Sequence, residues 1–165
     1  MRNMAKKGVE KTNVMRILEQ KKIPYAAHTY PHGDDPIDGV TVAGIIGRDP
    51  EQVFKTLVAR GASKTILVFV IPVARELDLK KAAKAAGEKS VVMIHVNEIT
   101  PLTGYVRGGC SPVGMKKQYF TVFDDSCLTH DAMIVSAGKI GYQIEIEPQR
   151  LIELTRGMTA DLTDQ

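Results

Sequence analysis

The sequence predicts a single-domain α+β fold in which helices flank a mixed β-sheet. Three observations lead there. The run "TILVFVIP" (65–72) is continuously apolar and rich in branched and aromatic residues, the mark of a strand buried on both faces. In the C-terminal half, "QYFTVF", "AMIVSA" and "YQIEIE" follow one another without a full helix between them. The helical segments are short and irregularly spaced, unlike the strict alternation of a doubly wound parallel sheet. The length of 165 residues suits one domain, and 44% hydrophobic with 25% charged residues supports a packed core.

Thr12 or Asn13 can cap a first helix with Val14, Ile17 and Leu18 on one side, ending before Pro24. "PYAAHTY" reads as extended. Residues 31–39, "PHGDDPIDG", are a loop of prolines, glycines and aspartates before the helical "VTVAGIIG". Asp49 and Pro50 open one short turn, and a strand begins near Val53. Asp78 caps "LKKAAKAA", which Gly87 ends; "SVVMIHV" resumes as a strand, and a short helix begins at Asn97. Pro148 opens the last helix, which closes near Gly157. Residues 1–11 are expected to be a flexible N-terminus and 12–165 the folded domain.

Composition excludes several classes. Cys110 and Cys127 lack CxxC spacing and are too few for a disulfide framework, so free thiols in a cytoplasmic, reducing compartment are expected. No apolar stretch is long enough for a membrane span. A net charge of +3 is too small to argue for DNA binding. Lys80, Lys81 and Lys84 read either as a solvated helix face or as phosphate contacts. No metal site or cofactor is expected: His28 and His32 are four apart but in extended or loop sequence, where they share no helix face. His95 is expected in an apolar strand as a core histidine, and His130 in a polar turn.

Lys55 is the most informative residue. On a strand it shares a face with Val53, Leu57 and Ala59, which puts an ammonium among apolar side chains. Such a cation snorkels out, pairs with an acid, or faces a ligand's oxygens. The stretch "GYVRGGCSPVG" (104–114) holds four glycines; it is either a tight turn or a set of closely approachable amides. It fits neither a Walker A nor a GxGxxG pattern. Cys110 and Ser111 have no recognisable histidine partner for nucleophilic catalysis. "VSAGKIG" (135–141) ends a strand in small residues with the Ser136 hydroxyl available, and Tyr30 can close over a pocket.

In this order, "HTYPH", "VFKTLVAR", "PVARELDLKKAAKAAG", "TGYVRGGCSPVGMKK" and "VSAGKIGYQIEI" resemble the YbaK/EbsC family of aminoacyl-tRNA deacylases, free-standing relatives of the editing domain of bacterial prolyl-tRNA synthetase. The match spans about residues 12–156. The resemblance implies a strongly curved mixed sheet, a pocket for the acceptor end of an aminoacyl-tRNA, and clearance of cysteine from Cys-tRNA(Pro), with Cys-tRNA(Cys) as a further substrate. It implies attack by the substrate's own thiol, expelling tRNA and leaving a thiolactone. Lys55 would contact substrate oxygens or the terminal phosphate and ribose, with Thr56 beside it. Gly108, Gly109 and Ser136 would serve the scissile carbonyl. Tyr30, Tyr105 and Gln143 would line the pocket. Where cysteine-specific members carry an acid, this chain has Gln143, an amide that cannot act as a base. A prolyl-tRNA synthetase is the implied partner for tRNA selectivity.

Two other readings fit the same residues. One is a deacylase for alanyl, seryl or non-protein aminoacyl groups. The other is a non-catalytic tRNA- or synthetase-binding module that uses Lys80, Lys81, Lys84, Lys116 and Lys117 for phosphate contacts.

Overall fold

The computed structural model describes residues 10–164. In chain order the elements are α1 (Asn13–Gln20), β1 (Ala26–Thr29), α2 (Gly39–Ile46), β2 (Phe54–Gly61), β3 (Ile66–Pro72), α3 (Leu79–Ala86), β4 (Val91–Met93), α4 (Ile99–Thr103), β5 (Phe120–Asp124), β6 (Met133–Ser136), β7 (Tyr142–Ile146), α5 (Pro148–Thr155) and β8 (Met158–Ala160). The expected flexible residues 1–11 lie largely outside the described residues. Glu10 and Lys11, inside them, pair with Lys139 and Glu19.

The strands divide into two sheets. One is five-stranded and mixed, in the order β4-β2-β3-β5-β8; the other is antiparallel, β1-β7-β6. The first follows from a tight β2–β3 hairpin joined by parallel pairing of β3 with β5 and of β5 with β8. An isolated bridge between Val53 and Ile134 links the two sheets.

Alternation along β3 supplies two cores. Val68 and Val70 face one way, joining Phe54 and Phe123, Ile144 and Ile146 of β7, and the buried sides of α1 and α5. Leu67, Phe69 and Ile71 face the other way, with Ala59, Leu162 and the α3 alanines Ala82 and Ala83. Each wholly buried large side chain, such as Phe69 or Ile144, contributes about 1.5–3 kcal/mol from leaving water. Capping follows the sequence: the Thr12 hydroxyl accepts from Met15 N, and carboxylates of Asp38 and Asp78 cap α2 and α3. Because α3 docks through alanines alone, its lysines point outward, and Lys81 is held by Asp161 and the Thr163 carbonyl.

Three expectations need correction. The strand expected through His95 stops at Met93; Val92 and Met93 are largely exposed, so nothing buries a longer strand. His95 is therefore exposed, and it caps a 3₁₀ turn at Val96–Glu98 instead of sitting in the core. The helix expected at Asn97 starts at Ile99 after that turn. The last helix ends at Thr155, and β8 follows, too short to show an alternating pattern. Among the described residues no helix is long and apolar enough to cross a membrane.

Candidate active site

The early end of β4 creates the site. Along β2, odd-numbered residues turn their main-chain groups to β3, as Val53 O accepting from Val73 N shows. Even-numbered ones face the other edge. β4 covers that edge at Ala59–Gly61, and Ile94 N reaches Val58 O at 3.3 Å. At the far end Ile134 N donates to Gln52 O, so β6 covers it there. Between them the edge around Phe54–Leu57 is open, and a cleft of about 400 Å³ occupies the gap. That size is typical of small-ligand sites.

Six residues expected to bind or act on a substrate line this cleft: Tyr30, Lys55, Thr56, Gly108, Ser136 and Gln143. Lys55 and Thr56 come from the open stretch of β2. Ser136 and Gln143 are direct cross-strand partners on β6 and β7. Tyr30, 5% exposed, is fixed just beyond β1 by its amide donating to Gly141 O. The Ser136 hydroxyl accepts from Gly138 N at 3.0 Å, which leaves its own proton free to be donated.

Two expected residues sit elsewhere. Gly109 is outside the lining, and its amide is used at 3.0 Å to Val106 O, so it offers no donor to a ligand. Its lack of a side chain serves packing instead, since a Cβ would stand 3.0 Å from Ile140 N. Tyr105 lies beneath the loop, where its hydroxyl donates at short range to the Val113 carbonyl. It shapes the loop and does not touch the cleft.

The lining includes one charged residue that the sequence reasoning passed over, Arg107, hidden among the glycines that drew attention. Among the described residues Arg107 and Lys55 are its only charged members, and none of those lining it is a carboxylate or a histidine. Among the described residues neither cation forms an ion pair. Glu145, two positions beyond Gln143 on β7, is an acid with other partners. Its oxygens hold His28 Nε2 at 2.7 Å and an Arg48 nitrogen at 3.0 Å. Burial pushes its pKa up, but the hydrogen bonds from His28 and Arg48 outweigh that and hold it below the ordinary value.

Two oxygens in the lining are buried without partners, Thr56 Oγ1 and Gln143 Oε1. Orphaned oxygens of this kind are rare, and they suit a ligand that brings hydrogen-bond donors. The thiol of Cys110 also lines the cleft, but burial pushes its pKa up to about 11. It stays protonated at neutral pH and is a poor nucleophile. Ser111 is fully buried, and its hydroxyl accepts from Val113 N. Among the described residues no group of three potential ligands could hold a metal ion.

Comparison with known proteins places the chain in a family. A family model described as an aminoacyl-tRNA editing domain matches residues 39–154. The chain is 46% identical over 158 residues, 96% of each chain, to EbsC of Enterococcus faecalis, which is assigned as a Cys-tRNA(Pro)/Cys-tRNA(Cys) deacylase. Among solved structures it resembles a trans-editing enzyme assigned to prolyl-tRNA synthetase, with a TM-score of 0.80 and 23% identity over 94% of this chain and 100% of that one. It also resembles a hypothetical protein with a TM-score of 0.81 and 24% identity over 92% and 99% of the two chains. Those two likenesses speak to the fold, whereas the family model and the bacterial relative identify this chain as a member of the aminoacyl-tRNA editing domain family.

Proposed function

We propose that this protein is a trans-editing aminoacyl-tRNA deacylase whose substrate is Cys-tRNA(Pro), acting in the cytoplasm with prolyl-tRNA synthetase as the source of tRNA selectivity. The observation that carries this reading is a cleft with cations and hydrogen-bonding groups but no nucleophile paired with a base. Such a site suits a substrate that brings its own nucleophile. The assignment of the 46%-identical bacterial relative supports the choice of cysteine.

The chemistry follows from the charges. A nearby ammonium lowers the pKa of a thiol, so Lys55 favours the thiolate of a cysteinyl ester in the cleft. That sulfur attacks the ester carbonyl carbon, and the carbonyl oxygen gains negative charge. Lys55, the Gly108 amide and the Ser136 hydroxyl are donors in the lining that can stabilise it. The ester C–O bond then breaks; the ribose oxygen leaves with the tRNA and takes up a proton, equivalent to the one the thiol lost. The cysteinyl group departs as its cyclic thiolactone. Thr56 Oγ1 and Gln143 Oε1 accept from the substrate's amine, a role an amide oxygen fills without acting as a base.

The test follows the decay of the ester in Cys-tRNA(Pro) and Ala-tRNA(Pro), with wild type and Lys55→Ala. Rapid loss of the cysteinyl ester alone is expected, slowed roughly 10²- to 10³-fold by the substitution. Intact Cys-tRNA(Pro) at high protein concentration would refute the proposal. Preferential loss of the alanyl ester would replace substrate-thiol chemistry with attack by water.

A further inference from the structure

We propose that Arg107 grips the phosphate that joins the ligand's terminal nucleotide to the rest of the acceptor strand, which leaves Lys55 to the acyl group. The inference deepens the deacylase reading and rests on its substrate class.

Arg107 is presented by a built turn. Gly109 N donates to Val106 O at 3.0 Å, which closes a four-residue turn with Arg107 and Gly108 at its centre. Gly108 has φ +88°, the value that the third position of a type II turn requires. The turn is braced on both sides. A Cβ on Gly108 would come 2.6 Å from Pro36 Cβ, while Gly109 lies against the main chain at Lys139–Ile140. The paired glycines thus set the position of the side chain between them and the cleft.

Two cations in different surroundings share the lining. Lys55 is half-buried on the open edge of β2, whereas Arg107 is exposed. The facing loop carries Asp34 and Asp35, also exposed, and neither forms an ion pair with Arg107. An aminoacyl-nucleotide has matching ends: an acyl group small enough for the gap in the sheet, and a phosphate that remains near solvent. The planar guanidinium fork binds two phosphate oxygens at once, which an ammonium cannot do.

The experiment measures binding and turnover separately. Binding uses the uncharged trinucleotide CCA and adenosine, titrated over a range of salt concentrations against wild type, Arg107→Ala and Arg107→Lys. Arg107→Ala should weaken CCA binding about tenfold, equivalent to about 1.4 kcal/mol, with a smaller effect on adenosine. It should also flatten the log–log salt dependence by about 0.7, the share of one single-strand phosphate. Arg107→Lys should recover the salt slope but not the full affinity. In turnover, the loss on Cys-tRNA(Pro) should appear in KM and exceed the loss on cysteinyl-adenosine, which lacks the phosphate.

An unaltered salt slope, or equal losses on the two esters, would overturn the assignment. An unchanged Tm in Arg107→Ala separates lost contact from lost fold. Binding needs no turnover, so CCA binding that depends on Arg107 without cleavage of any ester would refute the deacylase reading alone.

Discussion

Gly108→Ala places two stresses on one atom. At φ +88° an alanine occupies backbone space that costs about 1–2 kcal/mol for any residue with a Cβ. The new methyl would also lie 2.6 Å from Pro36 Cβ and 3.0 Å from Pro36 Cα, and overpacking of that kind costs about 1–3 kcal/mol. A combined loss of about 3 kcal/mol in a domain of this size lowers Tm by roughly 6–12 °C. Relief requires residues 31–38 and the loop to move apart, and that displaces Ile37 or the turn that carries Arg107 from the cleft. Calorimetry or thermal circular dichroism, paired with kcat/KM on Cys-tRNA(Pro), should therefore show a fall in stability, activity or both. Gly33→Ala is the control, because a Cβ there meets nothing within 4 Å, and it should leave Tm within about 2 °C or raise it slightly. A Gly108→Ala protein matching wild type in both Tm and kcat/KM would refute this account of the loop.

Two further substitutions test the polar groups around the cleft. Gln143→Met keeps the chain length and removes a buried oxygen that has no partner, so stability should rise by about 1 kcal/mol while kcat/KM falls; lowered stability would show that the amide is satisfied in the fold. Glu145→Gln tests the clamp that joins β7 to His28 of β1 and to Arg48, just beyond α2. The Glu145 pKa is held below its ordinary value in the folded protein, so its stabilisation is present above about pH 4.5 and is lost as pH falls toward the folded value. Urea unfolding of the variant should show a shallower loss of stability between pH 5 and pH 3 than wild type, and parallel pH profiles would refute the role.

The strands and helices that the sequence announces are those whose burial imposes a period. The run 65–72 supplies β3 (Ile66–Pro72), buried from Leu67 onward, and alternation around Lys55 places an ammonium on β2 beside the cleft. What escaped depends on contacts between distant segments. The division into two sheets arises because β1 pairs with β7, more than a hundred residues away, and no local pattern encodes that choice. β8 has three residues, too few to establish alternation, and the strand expected at 90–96 shortens to β4 because nothing buries it beyond Met93. Glycine spacing drew attention to amides at Gly108 and Gly109, but the amide of Gly109 closes the turn, and the charged residue between Val106 and Gly108 lines the cleft. Tyr105 was misplaced for a similar reason: its acceptor, Val113 O, lies within its own loop, and proximity in sequence does not reveal which way a ring points.

The open edge of β2 shows how the fold can expose strand main chain without inviting a second sheet. Unpaired edges recruit other strands when they are long and flat. Here β6 covers one end and β4 the other, which leaves four residues, Phe54–Leu57, in the gap. At ~3.3 Å per residue the opening is about 13 Å, shorter than a typical strand of five or six residues but long enough for an aminoacyl group and part of its ribose. The main-chain groups of Thr56 face that opening, with the hydroxyl of the same residue buried and unpartnered in the lining. Lengthening β4 to pair across the gap would satisfy that main chain and remove the cleft together. The exposure of Val92 and Met93, where β4 stops, therefore belongs to the architecture of the site.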